Sequence, residues 1–195
     1  MSIIGLGVGI PFCNQKSKLL VYDSFNRANN ANLNNADTGQ TWSLLAGGVE
    51  ISGNKAAATN TGVNRVAIQA GVINFITSAV FNVVNFTNDT ITSFTRCLNA
   101  SNFIGLRADK TNITLFTFIN STITVIGSYP LILPLGNSKL ALKTVDNTFT
   151  ILLNDSVLFE ITNDNVLKTS TMCGFTLYST GIPVNKIDDF KVEAI

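Results

Sequence analysis

The chain has 195 residues, with 13 basic and 12 acidic side chains and a formal net charge of +1. It offers no field or Lys/Arg cluster for phosphates, and no nucleic-acid partner is expected. The absence of histidine excludes every Ser-His-Asp or Cys-His nucleophile system and every histidine-ligated zinc. This length suits one sandwich or barrel that buries about 70% of its unfolded surface, so no disulfide staple is required.

Only 13% of residues are charged and 46% are hydrophobic. The balance is neutral and polar, with 24 Asn and 22 Thr against three Glu and three Gln. Threonine suits a half-exposed pleat and asparagine suits turns, while the straight-chain residues that sustain exposed helices are scarce. Cys13, Cys97 and Cys173 are odd in number and far apart, so buried free thiols are expected rather than a disulfide framework or a metal knuckle.

Residues Met1 to Phe12 are apolar, but they lack a basic leader and are too short to span a bilayer. No membrane partner is expected. Gly5, Gly7 and Gly9 alternate with Leu6, Val8 and Ile10, so an extended strand here would point its apolar side chains one way. Two readings fit: a free or strand-swapped tail, or a docking arm over 1–18 that uses Ile3, Ile4, Leu6, Val8, Ile10 and Phe12.

The remainder, 19–195, reads as one all-β domain. Short candidates come first, at Leu19 to Phe25, Thr41 to Leu45, Val49 to Ser52, Lys55 to Ala58 and Arg65 to Gln69. Val72 to Val84 is long and apolar on both faces, which predicts a central strand. No strand is assigned between Val84 and Asn102. A meander follows at Asn102 to Arg107, Ile113 to Ile119 and Thr122 to Ile126, then a loop from Ser128 to Pro134 that carries Tyr129. Lys139 to Ile161 predicts three strands joined at Asp146-Asn147 and Asn154-Asp155, pairs that tolerate positive φ. Met172 to Ser179 and Ile187 to Glu193 complete the set. About a dozen short strands with close turns are what two packed antiparallel sheets need.

The stretches Asp23-Ser-Phe-Asn-Arg-Ala-Asn, Leu33-Asn-Asn-Ala-Asp-Thr-Gly-Gln-Thr-Trp42 and Gly47-Gly-Val-Glu-Ile, with Ser101 to Arg107, Ile151 to Asp155 and Ile187 to Val192 later, resemble concanavalin A-like (LamG-type) jelly-roll domains of bacteriophage virion proteins. Asn29 departs from that pattern, which commonly has an acid there. The resemblance covers about Leu19 to Val192. It implies a two-sheet antiparallel jelly-roll sandwich whose first and last strands are neighbours, which would bring Asp23 near Asp188 and Asp189. It also implies a structural virion protein assembled in the host cytoplasm. Its partners would be other virion proteins, further copies of itself in a homo-oligomer, and host-surface glycan.

Site chemistry is sparse. A glycosidase of this general fold needs two carboxylates about 5 to 5.5 Å apart. The nearest strand pattern, Asp189, Lys191 and Glu193, has lysine in the middle, so no enzyme is expected; a glycan hydrolase is the minor alternative. No cofactor is expected. Calcium on Asp23, Asp188 and Asp189 is the alternative, and adjacent aspartates in a strand point to opposite faces unless a bulge intervenes. For a lectin-like module, Trp42 and Tyr129 are the candidate sugar platforms, with Arg27 and Asp37 as candidate ligand contacts. Those last two also have a structural reading, as an ion pair in a turn above a core Trp42.

Overall fold

The computed structural model describes residues 17–84, 89–164, 167–181 and 185–195. The docking-arm residues Ile3, Ile4, Leu6, Val8, Ile10 and Phe12, and Cys13, lie outside them. The first five strands are β1 (Lys18–Asp23), β2 (Ser43–Ala46), β3 (Val49–Ile51), β4 (Ala56–Ala58) and β5 (Gly62–Gln69). The middle five are β6 (Phe75–Val83), β7 (Thr90–Asn99), β8 (Asn102–Ala108), β9 (Asn112–Ile119) and β10 (Thr122–Pro130). The last five are β11 (Gly136–Val145), β12 (Thr148–Leu153), β13 (Ser156–Thr162), β14 (Met172–Ser179) and β15 (Lys186–Ala194).

The strands form two antiparallel sheets. The first runs β13-β12-β11-β6-β15-β4-β3, with β1 added on β15; the second runs β10-β9-β8-β7-β14-β5-β2. The expected neighbours β1 and β15 pair from Lys18↔Ala194 to Asp23↔Phe190, and β6 is central, between β11 and β15. The hairpins turn where short polar pairs sit. Asn120-Ser121 and Asn154-Asp155 both take positive φ, whereas at Asp146-Asn147 only Asp146 does.

Alternation places one apolar face of each sheet against the other. Phe75, Phe81, Leu140, Leu142, Phe149 and Phe190 from the first sheet meet Val66, Ile68, Ile91, Leu106, Leu115 and Phe175 from the second in one buried cluster. A separate, smaller cluster holds Ala67, Phe94, Cys97, Phe103 and Phe116. These residues alternate with the core positions of their strands, so they lie on the outer face of the second sheet.

Two expectations are corrected. A ten-residue strand, β7, occupies the interval left unassigned. Its inner face carries Ile91, Ser93 and Thr95, its outer face Thr92 and Phe94, and both are buried, so no polar/apolar alternation marks it in sequence. Tyr129 and Pro130 belong to β10 rather than to a loop, and β10 is an edge strand, where a proline is tolerated.

Candidate functional site

The motif at 23–42 closes on itself. Asp23 is fully buried. Its Oδ1 accepts from the Phe25 amide at 2.9 Å and from Arg27 Nη1 at 2.5 Å, and its Oδ2 accepts from Arg27 Nη2 at 3.0 Å and Trp42 Nε1 at 2.7 Å. Arg27 also donates to the Leu33 carbonyl at 2.7 Å. The expected Arg27–Asp37 pair is therefore secondary: Asp37 Oδ1 stands 3.7 Å from Arg27, while its Oδ2 accepts from the Ser24 hydroxyl and amide. The Ser24 hydroxyl above all holds the Asp37 carboxyl below its ordinary value, and Asp23 raises the Arg27 guanidinium.

Trp42 is wedged among Phe25, Phe175 and Phe190 at centroid distances of 6.1, 5.2 and 5.0 Å. It contributes only a buried floor to a cleft of about 230 Å³ beside Asn32, Asn34 and Leu44. Tyr129 stacks on Phe159 of β13, with centroids 6.1 Å apart and planes 7° from parallel, so it joins the rims of the two sheets.

The proposed calcium ligands are not gathered. A register shift between Ile187 and Phe190 does supply the bulge, but Asp188 pairs with Lys55, Asp189 accepts from the Tyr22 hydroxyl at 3.0 Å, and Asp23 is committed to Arg27 and Trp42. Among the described residues no group of three or more acids, cysteines or histidines is placed to hold a metal. Glu193 pairs with Lys191 at 2.9 Å.

The outer face of the second sheet was not foreseen as a site. Phe103 lies 5.0 Å from Phe94, 5.1 Å from Phe118 and 6.0 Å from Phe116. Phe116 lies across Gly105, where an added Cβ would meet its ring at 2.4 Å. Arg65 reaches over this cluster, its guanidinium carbon 4.4 Å from the Phe103 centroid, and donates to Thr176 Oγ1 at 2.9 Å and to the Ala100 carbonyl. Burial lowers its pKa and pushes the neighbouring Cys97 thiol up to about 11, so this cysteine is an inert packing group.

Toward the other end of the strands the same face turns polar. Register aligns Arg65, Thr176, Thr92 and Arg107 in one lateral row, with Val63, Tyr178 and Thr90 in the next. Tyr178 is 39% exposed, a hydroxylated ring on an open face. None of the seven strands of this sheet contains an Asp or Glu; their only charges are Arg65, Arg96 and Arg107.

No family model and no curated protein matches the chain. Solved structures do. A carbohydrate-binding module, CBM66 from Bacillus subtilis, superposes with a TM-score of 0.66 at 14% identity, covering 78% of this chain and 95% of its own. An endo-β-1,3-glucanase from Pyrococcus furiosus gives 0.64 at 10% identity, covering 91% and 94%. Domain 4 of AbnA, a GH43 extracellular arabinanase from Geobacillus stearothermophilus in complex with arabinotriose, gives 0.55 at 16% identity, covering 92% and 94%. The fold is a concanavalin A-like jelly roll. At these identities the likeness speaks for the fold alone. Within this jelly roll, the hydroxyl and guanidinium groups of the outer face come from strands as far apart in sequence as Arg65, Arg107 and Tyr178. The one signal for them in the sequence was Tyr178 as an aromatic with a polar atom.

Proposed function

We propose that this jelly roll is a non-catalytic carbohydrate-binding protein whose ligand lies on the outer face of the second sheet, against Tyr178. The observation that carries the reading is the composition of that face: an exposed tyrosine beside the half-buried Thr90, with Thr92 and Thr176 buried at its base, on a sheet whose strands hold no carboxylate. A ring and neighbouring hydroxyls are what a sugar's apolar and polar sides require. Hydrolysis would need two acids flanking the bond, and this face supplies neither, which weighs against the glycan-hydrolase alternative despite the likeness to glucanases. Glycan-array binding tests it: the wild-type chain binds, Tyr178→Ala weakens binding about tenfold or more, and no reducing ends are released. Undiminished binding by Tyr178→Ala, or carboxylate-dependent cleavage, would overturn it.

We further propose the setting implied by the sequence resemblance: a structural protein of a bacteriophage particle, assembled in the host cytoplasm as a homo-oligomer, docked on other virion proteins through 1–18 and contacting host-surface glycan. The alternating apolar leader Ile3 to Phe12 supports the docking. The oligomer is supported by β10, an uncharged nine-residue edge strand with Ile123 and Val125 about half exposed. Deleting residues 1–18 should abolish incorporation into particles while leaving the jelly roll folded; normal incorporation would contradict it.

A further inference from the structure

Within its strands, the face assigned above to sugar carries positive charge alone. Arg65 and Arg107 are its charged groups, and no strand of the sheet balances them with an acid. Arg65 is spent: its guanidinium is buried on Phe103 and Phe118, and it donates to Thr176 and Ala100. Arg107 is not. Its guanidinium carbon lies 5.8 Å from the Phe116 centroid, and its side chain is 33% exposed.

The Nε of Arg107 is buried without a hydrogen bond and faces Asp109 Oδ2 at a distant 3.8 Å. Asp109 is itself engaged, because its Oδ1 accepts from the Thr111 amide at 2.9 Å, the Thr111 hydroxyl at 3.0 Å and the Asn112 amide at 3.0 Å. Among the described residues neither Nη atom of Arg107 makes a hydrogen bond. A planar cation supported on a ring, with both terminal nitrogens free, presents the two-pronged edge that grips a carboxylate or sulfate. Arg107 and Tyr178 sit two strand spacings and one row apart, about 12 Å, with Thr92 in the row of Arg107 and Thr90 in that of Tyr178.

We infer that the ligand of this face is an acidic glycan, its anionic substituent held by the Nη edge of Arg107 while the sugar chain runs across the face toward Tyr178. The inference rests on the carbohydrate-binding reading, and it names the ligand class that reading leaves open. A neutral glycan would leave the Arg107 edge unmatched, whereas a carboxylated or sulfated one neutralises it.

Titration calorimetry with polygalacturonate, a sulfated galactan and a neutral galactan separates the cases. The acidic polymers should bind about tenfold tighter than the neutral one, more weakly as salt rises, and the tighter of the two says whether carboxylate or sulfate is the natural group. Arg107→Gln, checked for an unchanged melting temperature, should lose that preference, and Arg107→Lys should keep part of it. Equal binding of neutral and acidic polymers, or a preference that survives Arg107→Gln, overturns the acidic assignment and leaves the carbohydrate reading standing. Binding to none of the three nor to any other glycan on an array overturns both. Should Arg107→Gln fail to fold, the salt dependence and the neutral-to-acidic ratio of the wild-type chain decide alone.

Discussion

Asp23 holds the entry to the fold through four donors at once. It joins the turn at Phe25, the guanidinium of Arg27 and the indole of Trp42, so the turn at 23–27 and the more distant Trp42 share one buried carboxylate. Asp23→Asn would leave Arg27 with only the Leu33 carbonyl and the more distant Asp37. A fully buried pair broken on one side costs roughly 3 to 5 kcal/mol; Arg27 is 27% exposed, so about 2 to 3 kcal/mol is expected here. That corresponds to a fall in melting temperature of about 5 to 10 °C by calorimetry, and a fall under about 2 °C would refute the role.

Asp37 adds a pH dependence whose sign follows from its depressed folded pKa. Its contribution is complete above the ordinary aspartate value near about 3.9 and is lost as pH drops through the lower folded value. Melting curves from pH 6 to pH 2 should therefore show a steeper acid loss for the wild-type chain than for Asp37→Asn. Parallel curves would remove Asp37 from the account. Neither the four-donor role of Asp23 nor the Ser24 partner of Asp37 was legible in the sequence, which pointed to Arg27 with Asp37. Local spacing favours turn contacts, and only the pairing of β1 with β15 buries Asp23 beside Trp42.

At the level of strands, legibility followed how cleanly each face was marked. The hairpins of β11, β12 and β13 read directly, because Leu140 and Leu142 alternate with lysines and Phe149 and Ile151 alternate with threonines. β7 did not, since Ser93 and Thr95 occupy core positions and Phe94 an outer one. Its inner face lies against β6 and β11 of the opposite sheet, where small side chains let the layers come close.

The edge strand β10 is the element open to another chain. Its partner β9 covers one side; on the other, no charged residue guards Thr122 to Pro130. If the proposed homo-oligomer forms there, Val125→Lys, at a site 57% exposed, should leave the melting temperature within about 1 °C and convert the species seen by light scattering to monomer. An oligomer unaffected by Val125→Lys would place the contact elsewhere.

Across the whole molecule the charges divide between the layers. Every acid lies in the first sheet or in a connection, among them Glu50, Glu160, Asp188, Asp189 and Glu193. The second sheet turns outward a phenylalanine cluster, a row of hydroxyls and two arginines. Composition pointed to an all-β chain, since strand and turn residues dominate and helix formers are few, while the count of strands and the family resemblance carried the sandwich. The proposed binding face emerged only when β5, β14, β7 and β8 were laid side by side, because each strand supplies at most two of its groups and the strands lie far apart in sequence.

Hydrogen–deuterium exchange of the full chain, with and without the glycan that binds it on an array, tests the central claim most directly. The claim predicts slowed exchange confined to 62–65, 90–94, 105–109 and 175–179, the strand segments that carry Tyr178, Thr92 and Arg107. Protection centred instead on the cleft at Asn32 to Leu44, or on the charged face of the first sheet, would contradict it.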